Sequence, residues 1–220
     1  MKAKTTISNF LLGLALFSCT TVFAQEQQTV NEPDLKTKVG IKGGLNLTNL
    51  YISNTTDEHI KAGFDAGVFV KVPVTRGFSI QPELLYTVKG AQDTYNNFAE
   101  GSGEYKFNLG YMEMPLLAVL NVAPNFNIHV GGYAAYLVNA NVENVNNNGS
   151  IQGATSLNTG DFNRWDYGLI AGFGFDIQNV TLGARYNYGL RNIGKGGNLS
   201  GDITQNSKNA GFSIYAGIGF

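Results

Sequence analysis

The sequence predicts an all-β chain in which eight antiparallel strands, running up and down, close into a transmembrane barrel with short periplasmic turns and long extracellular loops. Three observations predict it. Apolar residues alternate with small or polar ones at a period of two through most of the chain. The connections between these segments are long and short in turn. No apolar run approaches the roughly 20 residues that a spanning helix needs, although only 14% of the chain is charged, against about a quarter in ordinary soluble domains.

Residues 165–188 show the pattern best. Trp165, Tyr167, Leu169, Ala171, Phe173, Phe175 and Ile177 are apolar, while Asp166, Gly168, Ile170, Gly172, Gly174 and Asp176, mostly small or charged, lie between them. After Gln178-Asn179, the residues Val180, Leu182, Ala184, Tyr186 and Tyr188 alternate with Thr181, Gly183, Arg185 and Asn187. A period of two puts each set on its own face of a strand, so this is a β-hairpin. A soluble calyx would bury the apolar face and wet the other; a membrane barrel would show it to lipid. The glycines favour the barrel, because a narrow bore needs small residues where a wetted sheet face carries Lys, Glu and Thr.

The chain opens on Lys2 and Lys4, an apolar stretch over residues 7–17, and Val22-Phe23-Ala24 before Gln25. This reads as an export signal, residues 1–24, cleaved after Ala24. Cleavage takes the basic count from 15 to 13 against 16 acids, moving the formal charge from −1 to −3. Such a balance offers no basic surface to nucleic acid. Cys19 is the one cysteine, so no disulfide forms within the chain; Leu16-Phe17-Ser18-Cys19 resembles a lipoprotein signal only distantly, Phe17 fitting poorly. Residues 25–37 read as a polar periplasmic leader and residues 38–220 as the barrel domain.

Strand one sets Val39, Ile41, Gly43, Leu45 and Leu47 against Gly40, Lys42, Gly44 and Asn46. After a loop over residues 53–61, strand two sets Phe64, Ala66, Val68 and Val70 against Asp65, Gly67, Phe69 and Lys71. Residues 73–77 make a turn. Strand three, residues 78–90, sets Ile80, Leu84, Tyr86 and Val88 against Gln81, Glu83, Thr87 and Lys89, with Pro82 removing a ladder donor. A long polar loop through Asn96, Asn97 and Gly101 follows. Strand four, residues 105–121, is apolar on both faces after Met112, and Glu113 and Pro115 predict a bulge there. Past a turn over residues 122–125, strand five sets Ile128, Val130, Ala134, Tyr136 and Val138 against His129, Gly131, Tyr133 and Ala135. Residues 139–163 and 190–209 read as long polar loops around the hairpin that supplies strands six and seven. Strand eight ends the chain with Phe212, Ile214, Ala216, Ile218 and Phe220 outward.

Gly40-Ile41-Lys42-Gly43-Gly44-Leu45-Asn46, Gln81-Pro82-Glu83-Leu84-Leu85-Tyr86, Tyr111-Met112-Glu113-Met114-Pro115 and the terminal Phe220 together resemble the small outer-membrane β-barrel family of Bacteroidetes, whose members are labelled porin-family or PorT-like. The likeness runs over nearly the whole mature chain, and its Glu-x-Pro strand is the most specific part. It implies an outer-membrane barrel in contact with lipid. PorT is linked to a system that exports proteins across the outer membrane, a role most relatives lack. The terminal Phe220, with apolar residues at alternate positions before it, resembles the signal read by barrel-assembly machinery; the plainer reading is an edge strand that ends in Phe.

The remaining motifs weigh toward structure. Gly172-Phe173-Gly174 and Gly194-Lys195-Gly196-Gly197 join no strand to a helix, so neither makes a phosphate cradle. Asn54-Thr55-Thr56 and Asn148-Gly149-Ser150 match the glycosylation sequon, as Asn-rich loops do by chance. His59 and His129 are too few for a metal site, and no cofactor is expected. His129 lies near a periplasmic turn, the wrong rim for chemistry on outer-leaflet lipid. Glu83, Glu113, Arg185, Lys71 and Asp65 all face inward. They make either a conduction path or a structural charge network filling a bore that is just wide enough for side chains. Three functions stay open: a non-enzymatic envelope protein or secretion accessory binding a partner through its outer loops or its periplasmic rim, a narrow pore for small solutes, and a lipid-modifying enzyme.

Topology gives the first test. Cysteines placed at Asn147 or Asn198 should react with an impermeant reagent on intact cells, and cysteines at Thr75 or Asn179 should not. Equal labelling of the two sets under an intact outer membrane would overturn the orientation.

Overall fold

A computed structural model describes residues 35–52, 60–97, 101–146, 151–157, 159–194 and 207–220. The export segment, Cys19, His59, both sequons and the glycines after Gly194 lie outside the described residues, as do Asn147 and Asn198.

Among the described residues period-two alternation becomes nine strands: β1 Lys38–Ile52, β2 Lys61–Thr75, β3 Phe78–Asn97, β4 Gly101–Ala123, β5 Phe126–Asn146, β6 Ile151–Ser156, β7 Trp165–Ile177, β8 Val180–Asn192 and β9 Ser207–Gly219. Eight of them form a ring in the order β4-β3-β2-β1-β9-β8-β7-β5, closed because β5 also pairs with β4. Every neighbouring pair is antiparallel. The first and last strands meet from Gly40↔Gly219 to Ile52↔Ser207. Val39 and Phe220 exchange backbone hydrogen bonds at that seam, 3.3 and 2.8 Å long. β6 is the ninth strand, a short piece added to the far end of β5.

The burial pattern is inverted relative to a soluble protein. Ile41 is 57% and Leu45 64% exposed, whereas Lys42 between them is 5% exposed. The same inversion runs around the ring: Leu84, Leu116, Leu169, Leu182 and Ile214 face outward, and Glu83, Glu113, Asp166, Arg185 and Ser213 are buried. Only a hydrocarbon surround makes this arrangement stable, since apolar surface gains by leaving water and backbone groups in lipid must pair within the protein. Aromatic rings mark both ends of the apolar band. Tyr136 and Trp165 lie edge to face at 5.2 Å between centroids toward the loops, and Phe126 lies 5.0 Å from Phe175 beside a turn. Paired girdles of this kind suit the two membrane–water interfaces.

β4 read as apolar on both faces because its bore side is apolar too. Tyr111, Leu117 and Val119 are buried alongside Glu113, while Met112, Met114, Leu116 and Leu120 face outward. Glycines give the larger inward rings room. A Cβ at Gly168 would run into the Tyr133 ring, and one at Gly183 into Tyr215.

Three expectations need correcting. The bulge foreseen at Glu113 and Pro115 is not there: β3 and β4 keep one register from Phe78↔Leu120 to Asn97↔Gly101. Their ladder is instead interrupted across residues 83–84 and 114–115, beside Pro82 and at Pro115, because a proline has no N–H to give. The shift lies between β4 and β5 at Gly110/Tyr111. Next, the polar stretch through Asn96 and Asn97 is not a long loop, since β3 and β4 stay paired up to Asn97↔Gly101. Lastly, residues 139–163 are not one open loop. β5 runs on to Asn146, β6 pairs back onto it, and a 3-10 turn, Thr159–Asp161, leads into β7. Polar sequence on both sides of a strand leaves no alternation to read, so these overhangs looked like loops.

One two-residue turn matches its chemistry and another does not. Pro124-Asn125 places Asn at φ 64°, in the left-handed region that Asn tolerates better than other side-chain-bearing residues. Gln178 sits at φ 56° with no such excuse, since a left-handed residue with a Cβ is strained by about 1 kcal/mol. Gln178→Gly should therefore raise stability by about 0.5–1 kcal/mol, seen as a higher urea midpoint for the protein refolded into vesicles. A lower midpoint would show that the strain is absent.

Candidate functional site

The inward positions of the ring bring their polar side chains into one connected interior. Glu83 on β3 is its hub. Arg185 on β8 donates both terminal nitrogens to it, Nη1 to Oε2 at 2.9 Å and Nη2 to Oε1 at 3.1 Å. Lys42 on β1 donates its Nζ to the same carboxylate at 3.1 Å, and Gln81 donates Nε2 at 2.7 Å. The Tyr215 ring receives both cations on its face, Lys42 Nζ at 3.5 Å from the centroid and the Arg185 guanidinium carbon at 4.7 Å. Asp65 is buried on the neighbouring strand, opposite Gly44, within the electrostatic reach of Lys42 and Arg185. The forked Arg–carboxylate geometry and the aromatic floor are what make such charge tolerable away from water.

Further polar groups occupy the bore on either side of this hub. Lys89 donates to Glu113, with its ammonium 4.4 Å from the Tyr133 centroid. Asp166 accepts from Tyr133 Oη at 3.1 Å and from Asn209 Nδ2 at 2.8 Å. Asn209 Nδ2 also lies 3.4 Å from Tyr111 Oη. At the turn end, Asp176 accepts from Lys71 Nζ at 2.7 Å, Thr181 Oγ1 at 2.7 Å and Asn127 Nδ2 at 3.0 Å. His129 is buried there, its Nδ1 3.3 Å from Asn127 Oδ1.

Two of these contacts cross the whole bore. β3 and β8 stand opposite each other in the ring, as do β4 and β9, so Arg185–Glu83 and Asn209–Tyr111 span it from wall to wall. Between them, a cavity of about 10 Å³ bordered by Asn46, Thr87, Lys89 and Asn209 has room for about one water molecule.

The loop end is capped. Phe162, just after the 3-10 turn, is 1% exposed and packs with Leu109, Leu137, Ile170 and Ile193. Its neighbours are tied to β5 and to the end of β8. Asn163 N donates to Ile193 O at 2.7 Å, Leu137 N to Arg164 O at 2.7 Å, and Arg164 Nη1 to Tyr136 Oη at 3.1 Å. Arg191 Nη2 donates to Asn163 Oδ1 at 3.2 Å.

The structure brings four of the five anticipated charges, Glu83, Glu113, Arg185 and Asp65, into the bore, and puts Lys71 at its rim. Arg185 reaches Glu83 but not Glu113, which belongs to Lys89. Lys42, Lys89, Asp166, Asp176 and Tyr215 complete the network without having been singled out for it. Their inward parity was readable; their partners were not. Phe220 is exposed at the seam. Among the described residues no group of three or more His, Cys, Asp or Glu side chains is placed to hold a metal ion, and His129 has an amide and an aromatic ring for company, not a nucleophile.

Residues 23–195 match a family described as outer membrane protein beta-barrel domain. No curated protein matches the chain. Among solved structures, the attachment invasion locus protein Ail of Yersinia pestis is 13% identical, with 84% of this chain and 100% of that chain covered, at a TM-score of 0.48. Neisserial surface protein A is 12% identical, with 83% and 97% covered, at a TM-score of 0.49.

The hub generates a stability prediction. Arg185→Ala should destabilise the barrel by about 3–5 kcal/mol, because it leaves a buried carboxylate with its wall-to-wall partner gone. Arg185→Lys should restore only part of this, lacking the fork. Urea titration of the refolded protein in vesicles checks both; a change under about 1 kcal/mol for Arg185→Ala would remove Glu83 as the hub.

Proposed function

Because the chain belongs to the family of outer membrane protein β-barrel domains, we propose that it is a non-enzymatic barrel whose loop end binds another envelope or extracellular component. It is an integral protein of the bacterial outer membrane. The observation that carries the reading is the filled bore: hydrogen-bonded contacts cross it between opposite strands, and Phe162 closes its mouth. A bore filled this way gives solutes no path, which leaves the overhanging strands and loops as the surface available for work.

In this reading the two-residue turns lie in the periplasm and the overhanging β3–β6 sheet stands outside, with the signal removed at Gln25. Phe220 serves as the assembly signal: it is exposed, and its backbone pairs with Val39 at the seam between the first and last strands. The inward charges act as structural filling and not as a conduction path. The Glu-x-Pro strand and the glycine-rich first strand support membership among the PorT-like barrels of Bacteroidetes, and with it an envelope or secretion-accessory role.

Planar-bilayer recording of the refolded protein should give no discrete conductance steps. Steps that scale with salt would establish the solute pore instead. The mass spectrum of lipid A should be the same with and without the gene; a lost or gained acyl or headgroup modification would establish an enzyme.

A further inference from the structure

Among the described residues the overhanging sheet ends in two edges: β3 beyond Asp65↔Thr87, whose sequence carries Asp93, and β6. Above Tyr136↔Trp165, the last pair between β5 and β7, β5 pairs instead with β6, from Asn141↔Ser156 to Asn144↔Gly153 and, past a register shift, Val145↔Ile151. The sheet order ends at β6. Gly153, Ala154, Thr155 and Ser156 are all exposed, and among the described residues no strand covers the far side of β6.

The register says which backbone groups face outward. Leu157 N donates to Ala140 O at 2.9 Å, and an antiparallel ladder alternates bonded and non-bonded pairs. Thr155 and Gly153 therefore turn their N–H and C=O toward β5, while Ala154 and Ser156 turn theirs away. Edge strands are ordinarily guarded by a charge, a proline or a marked twist. β6 reads IQGATS, with neither charge nor proline, and its register shift is confined to the tip. Among the described residues, 153–156 form an edge with neither charge, proline nor covering strand.

We propose that this edge accepts an extended segment of another protein as an added strand. The proposal rests on the loop-end reading above and names its partner class. Backbone amides at a two-residue repeat are what an extended chain satisfies and what a sugar or lipid headgroup does not. The small side chains at Gly153, Ala154 and Ser156 leave room for β-branched or aromatic residues at alternate positions of the incoming strand. A second copy fits poorly. Two barrels inserted the same way round in one membrane carry their β6 strands in the same sense, whereas identical edges meet across a two-fold axis running antiparallel. Residues 195–206 of the chain itself are the other rival occupant.

Amide hydrogen exchange on the full chain refolded in detergent micelles tests this. The probe is a capped seven-residue peptide alternating threonine and valine between terminal lysines. In the free protein, Ala154 and Ser156 should exchange fast, and Gly153 and Thr155 slowly. Saturating peptide should slow the first pair at least tenfold and leave the second pair unchanged. The double variant Ala154→Pro, Ser156→Pro removes only outward donors, so it should keep the barrel's heat-modifiable gel mobility and lose the peptide. Slow exchange at Ala154 and Ser156 without peptide would overturn the proposal in favour of the chain's own residues. Protection that grows with protein concentration would overturn it in favour of a second copy, and no change at millimolar peptide would overturn it outright. Conductance steps would sink the filled-bore reading and leave these exchange rates as they are, so the two failures are distinct.

Discussion

Everything in this protein follows from the need to pair every backbone group where water is absent. Hydrocarbon supplies no hydrogen-bond partner, so a sheet in lipid cannot have an edge. The chain meets that demand by bringing its last strand to its first, Gly40↔Gly219 through Ile52↔Ser207. Once closed, an eight-stranded ring leaves an interior only as wide as its own side chains. The alternation that turns Ile41 and Leu45 toward lipid turns Lys42, Asn46 and their counterparts toward one another. The bore chemistry is thus a consequence of closure. Charges that point inward must find partners there, and glycines such as Gly168 and Gly183 are where the tyrosine rings fit.

The strand overhangs obey a different rule because they stand clear of the apolar band. There water can satisfy an edge, and β6 is allowed to have one. The same chain therefore holds an edgeless ring and an open sheet, and the change falls where β5 passes from Trp165 to the β6 pairing. Tyr136 and Trp165 pack together at that level, as interfacial aromatics do.

The fold was legible in the sequence because a buried or lipid-facing strand writes its geometry as a period of two. Val180 to Tyr188 and Phe212 to Phe220 could be placed, face by face, without a coordinate. Legibility stopped where that constraint stops. Residues 92–97 are mostly polar, so the continued pairing of β3 with β4 left no mark on composition. Residues 139–146 looked like loop for the same reason. The bore was half legible. Parity announces that Glu113 and Arg185 point inward, but which cation meets which carboxylate depends on the stagger of the strands around the ring, and that is a property of closure. Phe162 carried no signal at all, since one aromatic in a polar stretch has no neighbours to give it a phase.

The sharing of one carboxylate by two cations makes the hub lopsided. Lys42 and Arg185 both lean on Glu83, while each stands also against Tyr215. Lys42 can be exchanged for a neutral side chain and leave Glu83 still forked to Arg185, so drift on β1 has a single-step route open to it. Position 83 has none: a neutral residue there leaves two positive charges facing each other in a dry channel, and a reversal of sign is worse. Mutational history should therefore run around Glu83, with change accumulating at Lys42 on β1 while the residue on β3 stays put.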